Sequence, residues 1–574
     1  MTPDLLALAR RWLDDLGDLL ARNADVAALF AGECHWRDLV AFTGDVRTFS
    51  AGQVAAELSE RQATAKASGF RIAAGHTPPR VVERNELSVV EAIFEFECAA
   101  GSGIGVVRLV EEPGPRYVAR NLFTSLDQLA GYPEQIGANR PVGERDSTKF
   151  GGPNWLDRRV AARTYAEHDP QVLVVGGGQS GLALAARLGQ LGVDTLVVDA
   201  HERPGDNWRK RYHALTLHNA IWINDLPYLP FPQTWPVFVA KDKLAGWFES
   251  YVDALEINFW GGTRFERAAY GEDRWEAHLT RSDGTTRVLR PRHIVIATGV
   301  SGIPYVPELP GLAEFGGEVV HSSAYTDGAA HQGKRVIVVG TGNSGHDVAQ
   351  DLHANGATVT MVQRSSTTIV SIEPSAALAD ASYLTAPTLE DSDLIGLSIP
   401  YPDLEIGAKQ LTARMKELDR GLVEALNGIG FRTDYGDDET GQQMKFMRRG
   451  GGYYLNVGCS ELLISGEVGL VQAADTDRFV PDGLRMTDGT TLAADLVVLA
   501  TGYQSQQEGL RRLMGDTVAD TVGPIWGYDD QGEVRNMWCR TAQRGLWFTA
   551  GNFQMCRTYS KVLAFQLRQA LDEP

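Results

Sequence analysis

VIVVGTGNSGHD, residues 336–347, is an apolar β-branched run that breaks into Gly340-x-Gly342-x-x-Gly345. An earlier segment, VLVVGGGQSG at 172–181, has the same spacing with Gly176, Gly178 and Gly181. In each segment a buried strand leads into a tight turn and then a helix. The first glycine permits the turn, the second lets backbone approach a pyrophosphate, and the third lets the helix pack closely on the strand. Free N–H groups at the helix N-terminus face the phosphates. Gln179 and Ser180 in the first loop, and Asn343 and Ser344 in the second, complete the two cradles. One chain with two such loops is expected to hold two dinucleotides.

The strands that follow the loops separate the two ligands. After the first helix, TLVVDA ends at Asp199, 18 residues beyond Gly181. A carboxylate there accepts hydrogen bonds from a ribose diol, and FAD is the simplest ligand. After the second helix, ATVTMVQ ends in Gln363, Arg364 and Ser365. An arginine and a serine suit a 2′-phosphate that an acid would repel. The second nucleotide is therefore expected to be NADPH. Two short turns, Ala297-Thr298-Gly299 and Ala500-Thr501-Gly502, end the apolar strands HIVIATG and LVVLATG. Small residues suit places where a chain passes between two nucleotide-binding domains.

Composition excludes several classes. The 574 residues carry 54 Lys and Arg against 73 Asp and Glu, a net charge of −19. Such an acidic surface repels nucleic-acid phosphates and anionic lipid, so neither is expected as a partner. Five scattered cysteines without a CxxC pair argue against a disulfide framework and a zinc site, and suit a reducing cytoplasm. No cysteine lies between Cys98 and Cys459, so the dithiol of a disulfide reductase is missing near the first loop. No run of 18 apolar residues predicts a membrane span. The N-terminal stretch MTPDLLALARRWLDDLGDLL carries acids within its apolar pattern, which reads as an amphipathic helix and not a signal peptide.

The organisation read from these patterns is an α/β chain with an α+β unit at its start. Residues 1–150 form that unit, with strand-like pieces VVEAIFEFECAA, GIGVVRLVEE and RYVARNLFTSL. A linker, 151–168, lies within a longer polar stretch, 137–159. The FAD-binding domain takes 169–327 and returns over 491–574. The NADPH-binding domain takes 328–490, with a mostly helical insertion at about 376–446.

The segment FGGEVVHSSAY at 315–325 fixes the class of chemistry. Its F-x-G-x-x-x-H-x-x-x-Y pattern, with Phe315, Gly317, His321 and Tyr325, resembles the fingerprint of class B flavin-dependent monooxygenases. The final tyrosine, where classical Baeyer–Villiger enzymes carry tryptophan, leans towards the flavin-containing monooxygenase branch. GDNWRKRYHALTLHN (205–219), LPYLPFPQTWP (226–236), AKDKLAGWFESY (240–251) and AGNFQMCRTYSKVLAFQLR (550–568) extend the resemblance. It implies FAD over Asn207, Trp208, Arg209 and the His218–Asn219 pair, with Thr298, Gly299, Thr501, Gly502 and Asn552 also at the cofactors. Either His218 or Asn219 stands where the family has an asparagine beside the reactive flavin. The resemblance places His321 at the link between domains. Arg448 and Arg449 are candidates for the flavin-side arginine of Baeyer–Villiger enzymes.

The extension narrows the match. FAGECHWRDLVAFTGDVRTFSAG, 30–52, is similar to the first helices of NTF2-like domains, and Trp36, Arg37 and Asp38 could line a pocket there. A lid or a dimer contact is the alternative role. A flavin core with such an extension resembles type II flavin-containing monooxygenases. That resemblance implies Baeyer–Villiger oxidation of small ketones or oxidation of N and S heteroatoms through a C4a-(hydro)peroxyflavin. It also implies acceptance of NADH beside NADPH, small-molecule substrate and O₂ as partners, no metal, and a homodimer. Two other readings stay open. One is a YUCCA-like oxidative decarboxylase of an indolic keto acid, suggested by LHNAIWINDLPYLPFP. The other is a flavin NADPH oxidase or redox protein with an N-terminal interaction module.

Overall fold

A computed structural model of the chain describes residues 4–114, 116–143, 151–385 and 388–573. Part of the polar stretch 137–159, residues 144–150, lies outside the described residues. Within the linker, Asn154 caps a short helix, Trp155–Ala162.

The N-terminal domain is a helix-backed mixed sheet. Asp4 caps the helix Leu5–Ala21, whose Ala9, Trp12, Leu13, Leu16 and Leu20 are buried. That spacing places one apolar stripe against the sheet. Strands run in the order Val46–Ser50, Phe30–Leu39, Arg116–Leu129, Gly101–Glu112, Leu87–Cys98, Ser68–Ile72, with Arg80–Arg84 on Leu87–Cys98.

One expectation is corrected here. Residues 30–52 do not form the first helices of the domain. They are two antiparallel strands, with Trp36 opposite Phe49 and His35 opposite Ser50. The turn between them is locked by Asp38, whose carboxylate accepts from the Phe42 and Thr43 amides. Helix begins only at Ala51, after a capping box between Ser50 and Gln53.

Two parallel sheets follow. The first runs Asn258–Trp260, Thr195–Val198, Val172–Val175, His293–Ile296, Leu546–Phe548. The second runs Glu318–His321, Leu496–Leu499, Arg335–Val339, Thr358–Gln363, Gly469–Gln472. Each central strand is wholly buried or nearly so, as β-branched runs between two helical layers should be.

This topology shifts the domain boundaries. The strand Glu318–His321 belongs to the second sheet and not to the FAD-binding segment 169–327. The strand Leu496–Leu499 also belongs to the second sheet and not to the returning segment 491–574. The reason is register: Val320 and Val338 both align with Val498, so Leu496–Leu499 is the inner strand between them. The chain crosses between domains at the two Ala-Thr-Gly turns. There the Tyr305 amide donates to Gly502 O at 2.9 Å, and Gln504 N donates to Ile303 O at 2.8 Å. The first sheet is completed later, by Leu546–Phe548 and the helix Phe553–Asp572.

Helices occupy the insertion: Ala381–Thr385, Leu389–Leu397, Tyr401–Leu418, Arg420–Gly428 and Gly441–Arg449. A two-stranded parallel ladder, Thr368–Ser371 with Tyr453–Asn456, closes its base.

Candidate active site

The two glycine loops have the same construction. Gly176 has φ +113° and Gly340 φ +114°, a region closed to ordinary side chains. A Cβ on Gly181 would stand 2.0 Å from Gly176 O, and one on Gly345 would stand 2.2 Å from Gly340 O. The third glycine of each loop is thus required by contact between helix and turn. The helices Gln179–Gln190 and Asn343–Ala354 begin at Gly178 and Gly342, neither of which has a side-chain cap. A Cβ on Gly342 would meet nothing nearer than Tyr453 O at 3.7 Å, so the mouth of the second loop is open. Asn343 Oδ1 accepts from the Leu455 amide, and Gln179 Nε2 donates to Gly551 O. Ser180 is buried and Ser344 half-buried.

Asp199 follows the strand Thr195–Val198, beside the first loop. Its carboxylate accepts from the Gly177 amide at 2.6 Å and the His201 amide at 2.7 Å. Asn207 and Trp208 lie on a short helix beside the first loop. A Cβ on Gly178 would be 3.2 Å from Asn207 Nδ2. Asn207 Oδ1, Trp208 Nε1 and Trp222 Nε1 are buried without a hydrogen-bond partner. Buried polar atoms are rarely left so. A glycine cradle with an unpartnered buried acceptor, Asn207 Oδ1, on the residue beside it fits a dinucleotide. Arg209 departs from expectation: its guanidinium is turned to Asp206 and Glu249 and away from the cradle. Asn552 caps the last helix, its Oδ1 accepting from the Met555 amide, which leaves Nδ2 for a ligand.

His218 and Asn219 separate in the structure. Asn219 is exposed, and its carbonyl accepts from Asn224 Nδ2. His218 is half-buried with Nε2 3.7 Å from Asp347 Oδ2. Asp347 belongs to the helix of the second glycine loop, so this contact joins the two domains. The hydroxyl of Tyr212 also donates to Asp347 Oδ2, while Asp347 Oδ1 has no partner. Burial pushes the Asp347 carboxyl up from its usual range, against His218 and Tyr212, which lower it. Asp347 was not singled out in the sequence. Its place one turn inside the second helix of the Gly340–Gly345 loop was the available signal.

Of the fingerprint residues, His321 reaches the turn between the domains, and the others pack within the second. His321 Nε2 donates to Gly502 O at 3.0 Å, and its Nδ1 accepts from Ser323 N at 3.1 Å. Burial lowers its pKa, which suits this neutral tautomer. Tyr325 donates to Asp351 Oδ2 at 2.6 Å. Phe315 meets Phe479 edge to face, and a Cβ on Gly317 would strike Asp495 O at 2.5 Å. Thr501 Oγ1 donates to Tyr305 O, and Gly299 O accepts from Gln506 Nε2. The Thr298 hydroxyl stands at the same turn, 3.7 Å from where a Cβ on Gly302 would be.

At the end of the second strand, Arg364 and Ser365 are both exposed. Arg432, which the sequence reading missed, stands beside them: its Nη2 donates to Arg364 O at 2.6 Å and its amide to Gln363 Oε1 at 2.8 Å. Only tertiary folding brings it there, from the far end of the insertion. Arg448 is engaged elsewhere, by Asp438 at 2.7 Å and Tyr401 at 2.8 Å. Arg449 is exposed at the end of its helix. Trp36, Arg37 and Asp38 are buried and engaged by partners. Trp36 and Asp38 are buried against Thr124, and Arg37 forms a buried ion pair with Glu533 at 2.6 Å. No group of His, Cys, Asp and Glu among the described residues could hold a metal ion, and no helix among them is long and apolar enough to cross a membrane.

Residues 173–382 match the family model described as pyridine nucleotide-disulphide oxidoreductase. Indole-3-pyruvate monooxygenase YUCCA1 of Oryza sativa subsp. japonica is 32% identical over 368 residues, which cover 63% of this chain and 83% of that protein. Probable indole-3-pyruvate monooxygenase YUCCA9 of Arabidopsis thaliana is 34% identical over 346 residues, 58% of this chain and 75% of that one. Among solved structures, the flavin-containing monooxygenase from Stenotrophomonas maltophilia is 21% identical, with a TM-score of 0.47 over 70% of this chain and 98% of that one. The chain belongs to the flavin-dependent monooxygenase family. It is an enzyme, an oxidoreductase whose cofactors are FAD and NADPH.

Proposed function

We propose that the protein is an NAD(P)H- and O₂-dependent FAD monooxygenase acting on small ketones or on N and S heteroatoms. The observation that carries this reading is the His218–Asp347 contact, 3.7 Å from Nε2 to Oδ2, which joins the segment after the first glycine loop to the helix of the second.

When bound, NADPH supplies the hydride, and FAD stores the electrons and activates O₂. The chain's own residues orient and protect that chemistry. Asp199 holds the ribose of FAD, and the two helix N-termini hold the pyrophosphates. Arg364, Ser365 and Arg432 hold the 2′-phosphate and favour NADPH, with NADH still accepted through the contacts that the two nucleotides share. Trp208 stacks on Phe553 at 6.0 Å, and Phe231, Trp235 and Trp247 continue the aromatic wall. Such a wall excludes water from the reacting centre. His218 Nε2 faces Asp347 Oδ2 across 3.7 Å. The state of this pair decides whether the activated oxygen is delivered to an electron-rich heteroatom or attacks a carbonyl.

The N-terminal domain is read as NTF2-like on its helix-backed mixed sheet, and the enzyme as a cytoplasmic homodimer. Five free cysteines, none paired, support a reducing compartment. A second reading, oxidation of an indolic keto acid, is favoured by the 32% identity to a rice indole-3-pyruvate monooxygenase. Incubating the holoenzyme with NADPH and either a ketone and sulfide panel or indole-3-pyruvate separates the two by product.

A further inference from the structure

The nine-residue helix Leu389–Leu397 in the insertion is held from opposite sides by two different domains. On one side Asp391, fully buried, accepts from the Thr77 amide at 2.7 Å, from the Thr77 hydroxyl and from His76 Nδ1 at 2.6 Å. Thr77 and His76 belong to the N-terminal domain. That domain also holds the helix C-terminus. Arg37 Nη1 donates to Leu397 O at 2.5 Å, and Arg108 Nη2 to Ile395 O at 3.3 Å and Ser398 Oγ at 2.7 Å. Two cations at the carbonyl end of a helix are favourably placed.

On the other side, Asp393 accepts from Arg557 Nε and Nη2, each at 2.7 Å. Arg557 lies on the helix Phe553–Asp572. Its remaining nitrogen, Nη1, donates to Ile223 O at 2.9 Å and Asp225 O at 2.7 Å. Between these two carbonyls, Asn224 donates to Asn219 O at 3.1 Å. A continuous path therefore runs from Thr77 through Asp391, Asp393 and Arg557 to the segment that carries His218, Asn219 and Trp222. Asp391 and Asp393 are joined through their shared helix, and the other links are hydrogen bonds to a charged group or to backbone, kinds that fix geometry tightly.

We infer that the N-terminal domain is a positioning device for the flavin-side segment 218–225, acting through the Leu389–Leu397 helix. Asp391 and Arg557 are positioning residues in this scheme, since neither lies in the glycine cradles. The inference rests on the reading of 218–225 as the wall of the oxygenating site.

The test uses the full-length holoenzyme and the variants His76→Ala, Thr77→Val and Thr77→Ser. Backbone hydrogen exchange, read by mass spectrometry, reports local opening. In His76→Ala and Thr77→Val, exchange is expected to rise about ten-fold in 389–397 and also in 218–225, with the glycine-loop segments 172–190 and 336–354 unchanged. Thr77→Ser keeps both donors to Asp391 and is expected to match the parent. With a substrate that the parent oxygenates, the same two variants release more H₂O₂ per NADPH while KM for NADPH stays put. Faster exchange confined to 389–397, with 218–225 as slow as in the parent, would overturn the inference. The exchange measurement needs no turnover, so a parent enzyme that oxygenates nothing overturns the reading of the site and leaves the mechanical link to be judged separately.

Discussion

His218 and Asp347 stand 3.7 Å apart, Nε2 to Oδ2, and each comes from a different dinucleotide-binding domain. The histidine thus takes its electrostatic partner from the helix of the second glycine loop. Asp347→Asn keeps the shape but removes the carboxylate that His218 faces. Coupled product is expected to fall about ten-fold while NADPH oxidation continues, a loss typical of a disturbed acid–base group. The ratio of product to NADPH consumed checks this.

The 2′-phosphate site gives a cofactor test. Arg364→Ala is expected to raise KM for NADPH by about 10- to 100-fold, the worth of one charge-assisted contact, and to leave KM for NADH nearly unchanged. Arg432→Ala acts in the same direction. Steady-state kinetics with both nucleotides read the split.

The third glycines separate the two loops. Gly181→Ala forces a Cβ to within 2.0 Å of Gly176 O, and the purified protein is expected to lack flavin absorbance. Gly345→Ala forces one to within 2.2 Å of Gly340 O. That variant is expected to stay yellow but fail to be reduced by NADPH.

His346 is fully buried, stacked on Tyr454 at 3.9 Å, and burial lowers its pKa to about 4. Unfolded, it takes up a proton near pH 6.5. Below that pH the unfolded chain binds more protons than the native one, so stability present at pH 7 is lost as pH falls from 6.5 towards 4. In His346→Phe the loss between pH 7 and pH 5 is expected to be smaller by about 2 kcal/mol. Denaturation midpoints at the two pH values measure it.

The glycine loops, the strands before them and Asp199 were legible because each rests on local geometry. A Cβ-free turn and a strand-end acid are visible in the sequence itself. The Arg364–Ser365 strand end was legible for the same reason. What escaped was whatever tertiary contact decides. Leu496–Leu499 reads as a strand, but only its register with Val320 and Val338 shows which sheet owns it. Arg209 sits in a promising motif, yet Asp206 and Glu249 draw it away. Arg432 and Asp347 acquire their places only when the insertion and the second domain fold against their neighbours. Residues 30–52 look helical by resemblance, whereas the pairing of Trp36 with Phe49 makes them strands.

The most direct measurement is turnover of the holoenzyme with NADPH and isotopically labelled O₂, against ketones, sulfides, amines and indole-3-pyruvate. Product and H₂O₂ are counted against NADPH consumed. At least one ketone, sulfide or amine is expected to give an ester, lactone or oxide that carries one labelled oxygen per NADPH. Conversion of every NADPH equivalent to H₂O₂, with no labelled product from any compound, would contradict a monooxygenase. Labelled product from indole-3-pyruvate alone would move the substrate from ketones and heteroatoms to indolic keto acids.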